Sequence, residues 1–305
     1  MIEQLPVEFL RLLGVVLAAV VAAFAALLPA CVGRDRVRSV LADRELLRER
    51  ARRIAPYVGG FALVLAVNKG LLRRLEAFSF EYGYRATTAI YAVEGDLVAA
   101  IQDAIPRAAV YYFGPIYVVG YVVLLSFPLV AYAFARNLRP LKRLIAAYAV
   151  NYAFAIACYA GVVAYGPRSY RDVPGADQSA ASVEPLLLDW FRGVTRLTAR
   201  VNVETNVFPS LHTALSVTVL LAAVFTHEEF PRWTPVAAFL TASIVVATMF
   251  LGIHWATDVV AGTALAAGSV ALANASSTER PHTVRARARG ERSRRRSCHH
   301  DVSHR

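Results

Sequence analysis

Two histidines hold most of the chemistry this 305-residue sequence could perform. It has seven in all. Four lie in the C-terminal tail, and His227 stands beside Glu228 and Glu229 in a short polar stretch. His212 and His254 remain, each at the end of an apolar run. Ionisable groups at such positions are costly, and they default to a functional reading. His254 lies in Gly252-Ile253-His254-Trp255-Ala256-Thr257-Asp258-Val259-Val260-Ala261-Gly262. Asp258 is four residues on, so on a helix the two share a face. An unpaired carboxylate beside lipid is expensive, and accepting the imidazole N–H removes that expense. The same bond fixes the tautomer and leaves the other ring nitrogen basic, as a nucleophile or general base requires. A purely structural His–Asp pair is the alternative. Gly262 would let another helix approach closely.

His212 lies in Asn206-Val207-Phe208-Pro209-Ser210-Leu211-His212-Thr213. Asn206 and Pro209 are helix-start residues, which puts Ser210 and His212 in a first turn. Unpaired backbone N–H groups there favour an anion. A polar helix cap at a membrane interface is the plainer reading. A third element, Tyr165-Gly166-Pro167-Arg168-Ser169-Tyr170-Arg171, offers two arginines three apart as a fork for phosphate oxygens. Cations, a nucleophile and a proton donor are what phosphoryl transfer needs. No metal and no cofactor is required, although two histidines and a carboxylate make a metal-dependent hydrolase the enzymatic rival. A serine hydrolase using Ser210 lacks Gly-x-Ser-x-Gly. A proton-handling transporter would place polar residues through several spans, whereas only scattered groups such as Asn68, Lys69 and Asn151 occur. Cys31, Cys158 and Cys298 are too dispersed for a disulfide framework, and Cys298, His299, His300 and His304 lack a folded context for a metal site.

The elements that must position these residues are membrane helices. The chain is 57% hydrophobic yet carries a net charge of +11. Apolar runs cover Val7–Leu28, Ile54–Leu72, Val110–Ala135, Leu144–Tyr165, Val207–Thr226 and Thr234–Asn274. The last is about twice one crossing, so it divides near Gly252–His254 and gives seven spans. Arg34–Arg53, Arg136–Arg143 and Glu279–Arg305 together hold +14, leaving −3 for the rest. Such placement orients the chain and does not describe a nucleic-acid ligand: the three basic stretches face the cytoplasm, and the tail is a cytoplasmic one. Both histidines and Arg168 and Arg171 then fall on the opposite, extracytoplasmic side of a plasma membrane. Leu28-Pro29-Ala30-Cys31 faintly resembles a lipoprotein cleavage site, but Glu3 and Glu8 precede the apolar core where basic residues are wanted, and a retained first helix is expected. Ala86–Ile105 reads as a surface amphipathic segment, and Pro185–Arg200, with Arg192, Arg196 and Arg200 every four residues, either as an interfacial helix or as one packed on the other spans with solvated arginines. The tail after Ser276 lacks any apolar period and reads as disordered.

Pro209-Ser210-Leu211-His212-Thr213 and His254-x-x-x-Asp258-Val259-x-x-Gly262 resemble the second and third motifs of the type 2 phosphatidic acid phosphatase superfamily. The 42 residues between the histidines, with one helical hairpin inside them, suit that family too. The resemblance implies an all-α polytopic bundle: a six-helix phosphatase core, here preceded by an extra N-terminal span. Residues 1–53 hold that span and a basic loop, 54–275 the catalytic domain, and 276–305 the tail. It implies His212 as general acid, His254 as nucleophile through a phosphohistidine, Asp258 as its orienter, and Ser210 as a phosphate contact. The substrate implied is a lipid or lipid-linked phosphate, the other partners being membrane lipids. The family's first motif, Lys-x6-Arg-Pro, is not met: Arg139-Pro140 has Tyr132 at the lysine position and faces the cytoplasm, so Arg168 and Arg171 are taken instead. Ala247-Thr248 stands where Ser-Arg is usual. With Phe208-Pro209-Ser210-Leu211-His212, that departure is more similar to the inositol phosphorylceramide synthase-like branch, which transfers a head group to a lipid hydroxyl.

Overall fold

The computed structural model describes residues 7–187 and 205–276. The Arg-rich tail, and the helix expected over Pro185–Arg200 beyond its first three residues, lie outside them. An apolar helix α1 (Val7–Leu27) runs into a wide turn at Leu28–Val32 that contains Pro29. After the short basic helix α2 (Arg34–Ala42) comes α3 (Arg44–Tyr82). Asp43 caps α3 by accepting from the Leu46 N–H at 2.9 Å. At 39 residues it is roughly 58 Å long, so it carries the expected Ile54–Leu72 span and charged turns at both ends. It also runs uninterrupted across residue 54.

Two short helices, α4 (Thr87–Glu94) and α5 (Leu97–Ala104), replace the single amphipathic segment read from sequence. The next span is broken by a proline: α6 (Val110–Pro115) opens into a wide turn at Ile116–Gly120 before α7 (Tyr121–Ala133). Pro115 has no N–H and crowds the carbonyl four residues back, which disturbs the regular ladder. Then α8 (Arg139–Gly161) starts five residues earlier than the apolar run, because Pro140 is well placed in a first turn. It stops at Gly161, where the chain changes to extended pairing. Tyr84–Arg85 (β1) lies parallel to Val162–Val163 (β2), and Ala164 bridges to Asn206.

The final three spans are α9 (Leu211–Phe225), α10 (Trp233–Phe250) and α11 (Ala256–Ser276). The long apolar run thus divides where expected, with Gly252 at φ +69° in the turn. Among the described residues, six helices are long and apolar enough to cross a membrane, and α9 is a shorter apolar seventh. The architecture is an all-α membrane bundle. Large apolar side chains such as Val15, Leu17, Leu63, Phe154, Phe239 and Val260 are exposed on its flanks, as hydrocarbon solvent allows.

Helix α9 sits between α8, α10 and α11. Asn151 of α8 donates to Thr218 of α9 at 2.9 Å, and Thr241 of α10 donates to the Ser216 carbonyl at 3.1 Å. At one end of the bundle, Phe127, Tyr132, Phe230 and Trp233 pack together in the main hydrophobic core. Basic residues collect there: Arg36 pairs with Glu229, the Arg136 N–H donates to the same carboxylate, and Arg50 reaches the Ala133 carbonyl. The two basic loops and the turn after α9 therefore share an end, as the charge reading requires. The two histidines lie at the other.

Candidate active site

The site is assembled around the start of α11. Asp258, in its first turn, accepts the Trp255 N–H at 2.8 Å, closing the turn that presents His254. Glu94, at the end of α4, clamps the same helix start. Its carboxylate accepts from the Ala256 N–H (3.1 Å), the Thr257 N–H (2.8 Å) and the Thr257 hydroxyl (2.8 Å). A carboxylate there both satisfies orphan donors and suits the positive end of the helix. The Trp255 ring donates to the Tyr165 carbonyl at 2.8 Å and packs edge-on against Tyr91 and Tyr170. Burial of the indole thereby costs no unmet N–H.

Ser210 is the N-cap of α9, one position outside the first turn expected for it, and its hydroxyl accepts the Thr213 N–H at 3.2 Å. It is fully buried, and its own N–H donates to the Asp258 carbonyl at 3.1 Å. Helices α9 and α11 meet here at Gly262, where a Cβ would stand 2.4 Å from the Ser210 carbonyl oxygen. The close approach read from that glycine is what the packing uses.

These constraints bring the histidines face to face. His254 Nε2 stands 3.4 Å from His212 Nδ1. Behind it, His254 Nδ1 is 3.5 Å from Asp258 Oδ2, with both residues buried. Burial pushes His254 below its ordinary range, to about 3; the Val207 backbone opposes the shift and the charge of Arg168 adds to it. His254 is therefore neutral near pH 7, the form with a lone pair for attack.

The other nitrogen of His212 is held by a residue that no sequence signal marked. Tyr117, on the wide turn between α6 and α7, places its hydroxyl 3.0 Å from His212 Nε2. Tyr121 packs its ring 4.8 Å from the same imidazole. Wide turns of this kind recur at functional sites because they re-aim a side chain within a helix.

The two arginines part company. The loop after β2 rides on the α10–α11 turn: the Arg168 N–H donates to the Gly252 carbonyl at 3.3 Å, and a Cβ on Gly166 would meet the Ile253 oxygen at 2.5 Å. Arg168 is thus held beside His254. Arg171 is exposed, and its guanidinium donates to the Gln178 carbonyl at 3.2 Å while Gln178 returns a bond to the Arg171 carbonyl. The structure brings Arg168 to the histidines and leaves Arg171 in the loop. Arg139, set aside on the sequence, starts α8 at the opposite end. Among the described residues, no group of three or more His, Cys, Asp or Glu is arranged to hold a metal ion.

Residues 90–272 match the model of one protein family, described as the PAP2 superfamily. No curated protein and no solved structure matches the chain.

Proposed function

From its membership of the PAP2 superfamily, to which this chain belongs as a phosphatase- or phosphotransferase-type membrane enzyme, we propose that it cleaves a phosphoester of a lipid or lipid-linked phosphate through a phosphohistidine at His254. The observation that carries this reading is the pairing of His212 and His254, which lie 42 positions apart and meet nitrogen to nitrogen at 3.4 Å with Asp258 behind the second. In the proposed reaction His254 Nε2 attacks phosphorus, and the bond to the leaving oxygen breaks as His212 gives that oxygen a proton. Asp258 stabilises the positive charge that forms on the His254 ring. Arg168 neutralises phosphate oxygens, and the Ser210 hydroxyl still has its proton to donate to one of them. Arg171 enters only if the loop with Gln178 rearranges around substrate.

An acceptor hydroxyl then attacks the phosphohistidine, with His212 as the base that takes its proton. Phe208-Pro209-Ser210-Leu211-His212 and Ala247-Thr248 support an inositol phosphorylceramide synthase-like reaction, in which that hydroxyl belongs to a lipid. The concentration of arginines at the end away from the histidines supports an extracytoplasmic site in the cell membrane.

Incubating the purified protein with a phospholipid donor labelled at phosphorus is expected to give an acid-labile, base-stable protein adduct that His254→Ala lacks. An adduct retained in that variant removes the assignment. Adding a lipid alcohol separates the acceptors: a labelled lipid product favours transfer, and a labelled water-soluble product alone (phosphate from a monoester donor, head-group phosphate from a diester) favours hydrolysis.

A further inference from the structure

His254, the nucleophile of the reaction above, stands two residues ahead of α11, so whatever fixes the start of that helix also fixes the reacting nitrogen. The sequence at this start supplies only half of a cap. Asp258, the third helical residue, reaches back to the Trp255 N–H at 2.8 Å, as the downstream member of a capping box does. The upstream member is missing. Trp255 stands just before the helix, and its indole can donate but not accept. The N–H groups of Ala256 and Thr257, which have no partner within the helix, need an acceptor from elsewhere. Glu94 supplies it from α4, and we propose that Glu94 is a positioning residue for His254. The proposal rests on the reading of His254 as the nucleophile.

Both oxygens of Glu94 are committed to this start. Oε1 accepts the Ala256 N–H, and Oε2 accepts the N–H and the hydroxyl of Thr257. A glutamine could keep one of these faces but would turn its own NH2 toward the donors on the other. All three bonds end on the helix, so Glu94 acts on the reaction only through the turn it holds.

Glu94 is itself well fixed. At the start of α4, the Ala86 N–H donates to the Val163 carbonyl at 2.9 Å, and the Thr87 hydroxyl accepts the Tyr165 N–H at 3.0 Å. At its end, Gly95 turns the chain at φ +57°, a region that favours glycine. Between these points Tyr91 stacks on Tyr170 at 4.2 Å, and Ile90 is buried in one cluster with Tyr170 and Trp255. Tyr170 and Arg168 share the short turn Pro167–Asp172. One eight-residue helix therefore braces the turn of His254 and the loop of Arg168 together.

Glu94→Ala and Glu94→Gln test this in the full chain, purified in detergent and given a phospholipid donor labelled at phosphorus. In Glu94→Ala the rate of adduct formation and kcat are expected to fall about a hundredfold, as for a displacement of about 1 Å, with KM and the final adduct per molecule little changed. Glu94→Gln should recover about tenfold of that loss through its remaining acceptor. Asp103→Ala, which removes an exposed acid from α5, should behave as the unaltered protein. A lower adduct yield formed at an unchanged rate would show a brace for the fold alone, and an unaltered rate and yield would show no role at all; either overturns the proposal. Carbethoxylation by diethyl pyrocarbonate, read by mass spectrometry, reports the placement of His254 without turnover. His254 is buried, and its labelling relative to exposed His227 is expected to rise severalfold in Glu94→Ala. If the unaltered protein forms no adduct but this rise is seen, the phosphohistidine reading falls and Glu94 still positions His254. An unchanged labelling ratio overturns the proposal whatever the adduct shows.

Discussion

His212 has both ring nitrogens engaged, Nε2 by Tyr117 and Nδ1 by His254, so its tautomer is set by neighbours on two other elements. On the proposed acid role, the proton on His212 must be released from that arrangement to reach a leaving oxygen, and Tyr117 would steady the ring meanwhile. Tyr117→Phe removes one neutral hydrogen bond, worth about 0.5–1.5 kcal/mol. It is expected to lower kcat about tenfold with little change in KM and to move the pH profile of kcat; steady-state rates from pH 5 to 9 check this. An unaltered profile would make Tyr117 a packing residue only. At this scale the sequence revealed whatever depends on local spacing. His254 and Asp258 are one helical turn apart, and the carboxylate needed a partner. Tyr117 was hidden among Tyr111, Tyr112 and Tyr121 in the same stretch, and its partner is 95 positions away. Glu94 meets the start of α11 from 162 positions away, which no local pattern announces. Arg168 and Arg171 looked equivalent because only the folded loop, through Gly252 and Gln178, distinguishes them.

Between elements, the critical contact is the crossing of α9 and α11. His212 is in the first turn of α9 and His254 stands two residues before α11, and Gly262 sets how closely those starts approach. A methyl group at Gly262 would press on the Ser210 carbonyl at 2.4 Å and on Thr213 Cβ at 3.2 Å, forcing the helices apart beside both rings. Overpacking of this sort costs about 1–3 kcal/mol, and a displacement of about 1 Å can cost about a hundredfold in rate. Gly262→Ala is therefore expected to lower kcat about a hundredfold with a modest fall in thermal midpoint. Gly268, six residues along α11, has nothing within 4 Å of its would-be Cβ. Gly268→Ala should leave turnover intact and stabilise the helix by about 1 kcal/mol at most. Parallel assays of the two variants decide the matter; equal behaviour would sink it. The spans themselves were readable because hydropathy over some twenty residues is a strong signal. Their ends were less so. Nothing in Val162-Val163 predicts that it leaves a helix to pair with Tyr84-Arg85, since that pairing depends on two distant spans already being in place.

For the whole molecule, the separation of the arginine-rich loops from the two histidines was readable from the positions of the arginines, whereas the unequal heights of its spans were not. Fifteen residues make α9 about 22 Å long, some 8 Å short of a hydrocarbon layer of about 30 Å. Its longer neighbours α8, α10 and α11 surround it and meet the bilayer in its place, so in a thick membrane the start of α9, where Ser210 and His212 stand, lies below the surface plane. Turnover then becomes a gauge of membrane thickness. In vesicles of phosphatidylcholines with progressively longer acyl chains, activity per molecule is expected to be highest in the thin members and to fall severalfold in the thick ones. Rates in detergent would set the reference, and a flat series would refute the dependence. A short helix in the middle of the bundle would in this way tie the rate of the chemistry to the lipid composition of the cell that houses it.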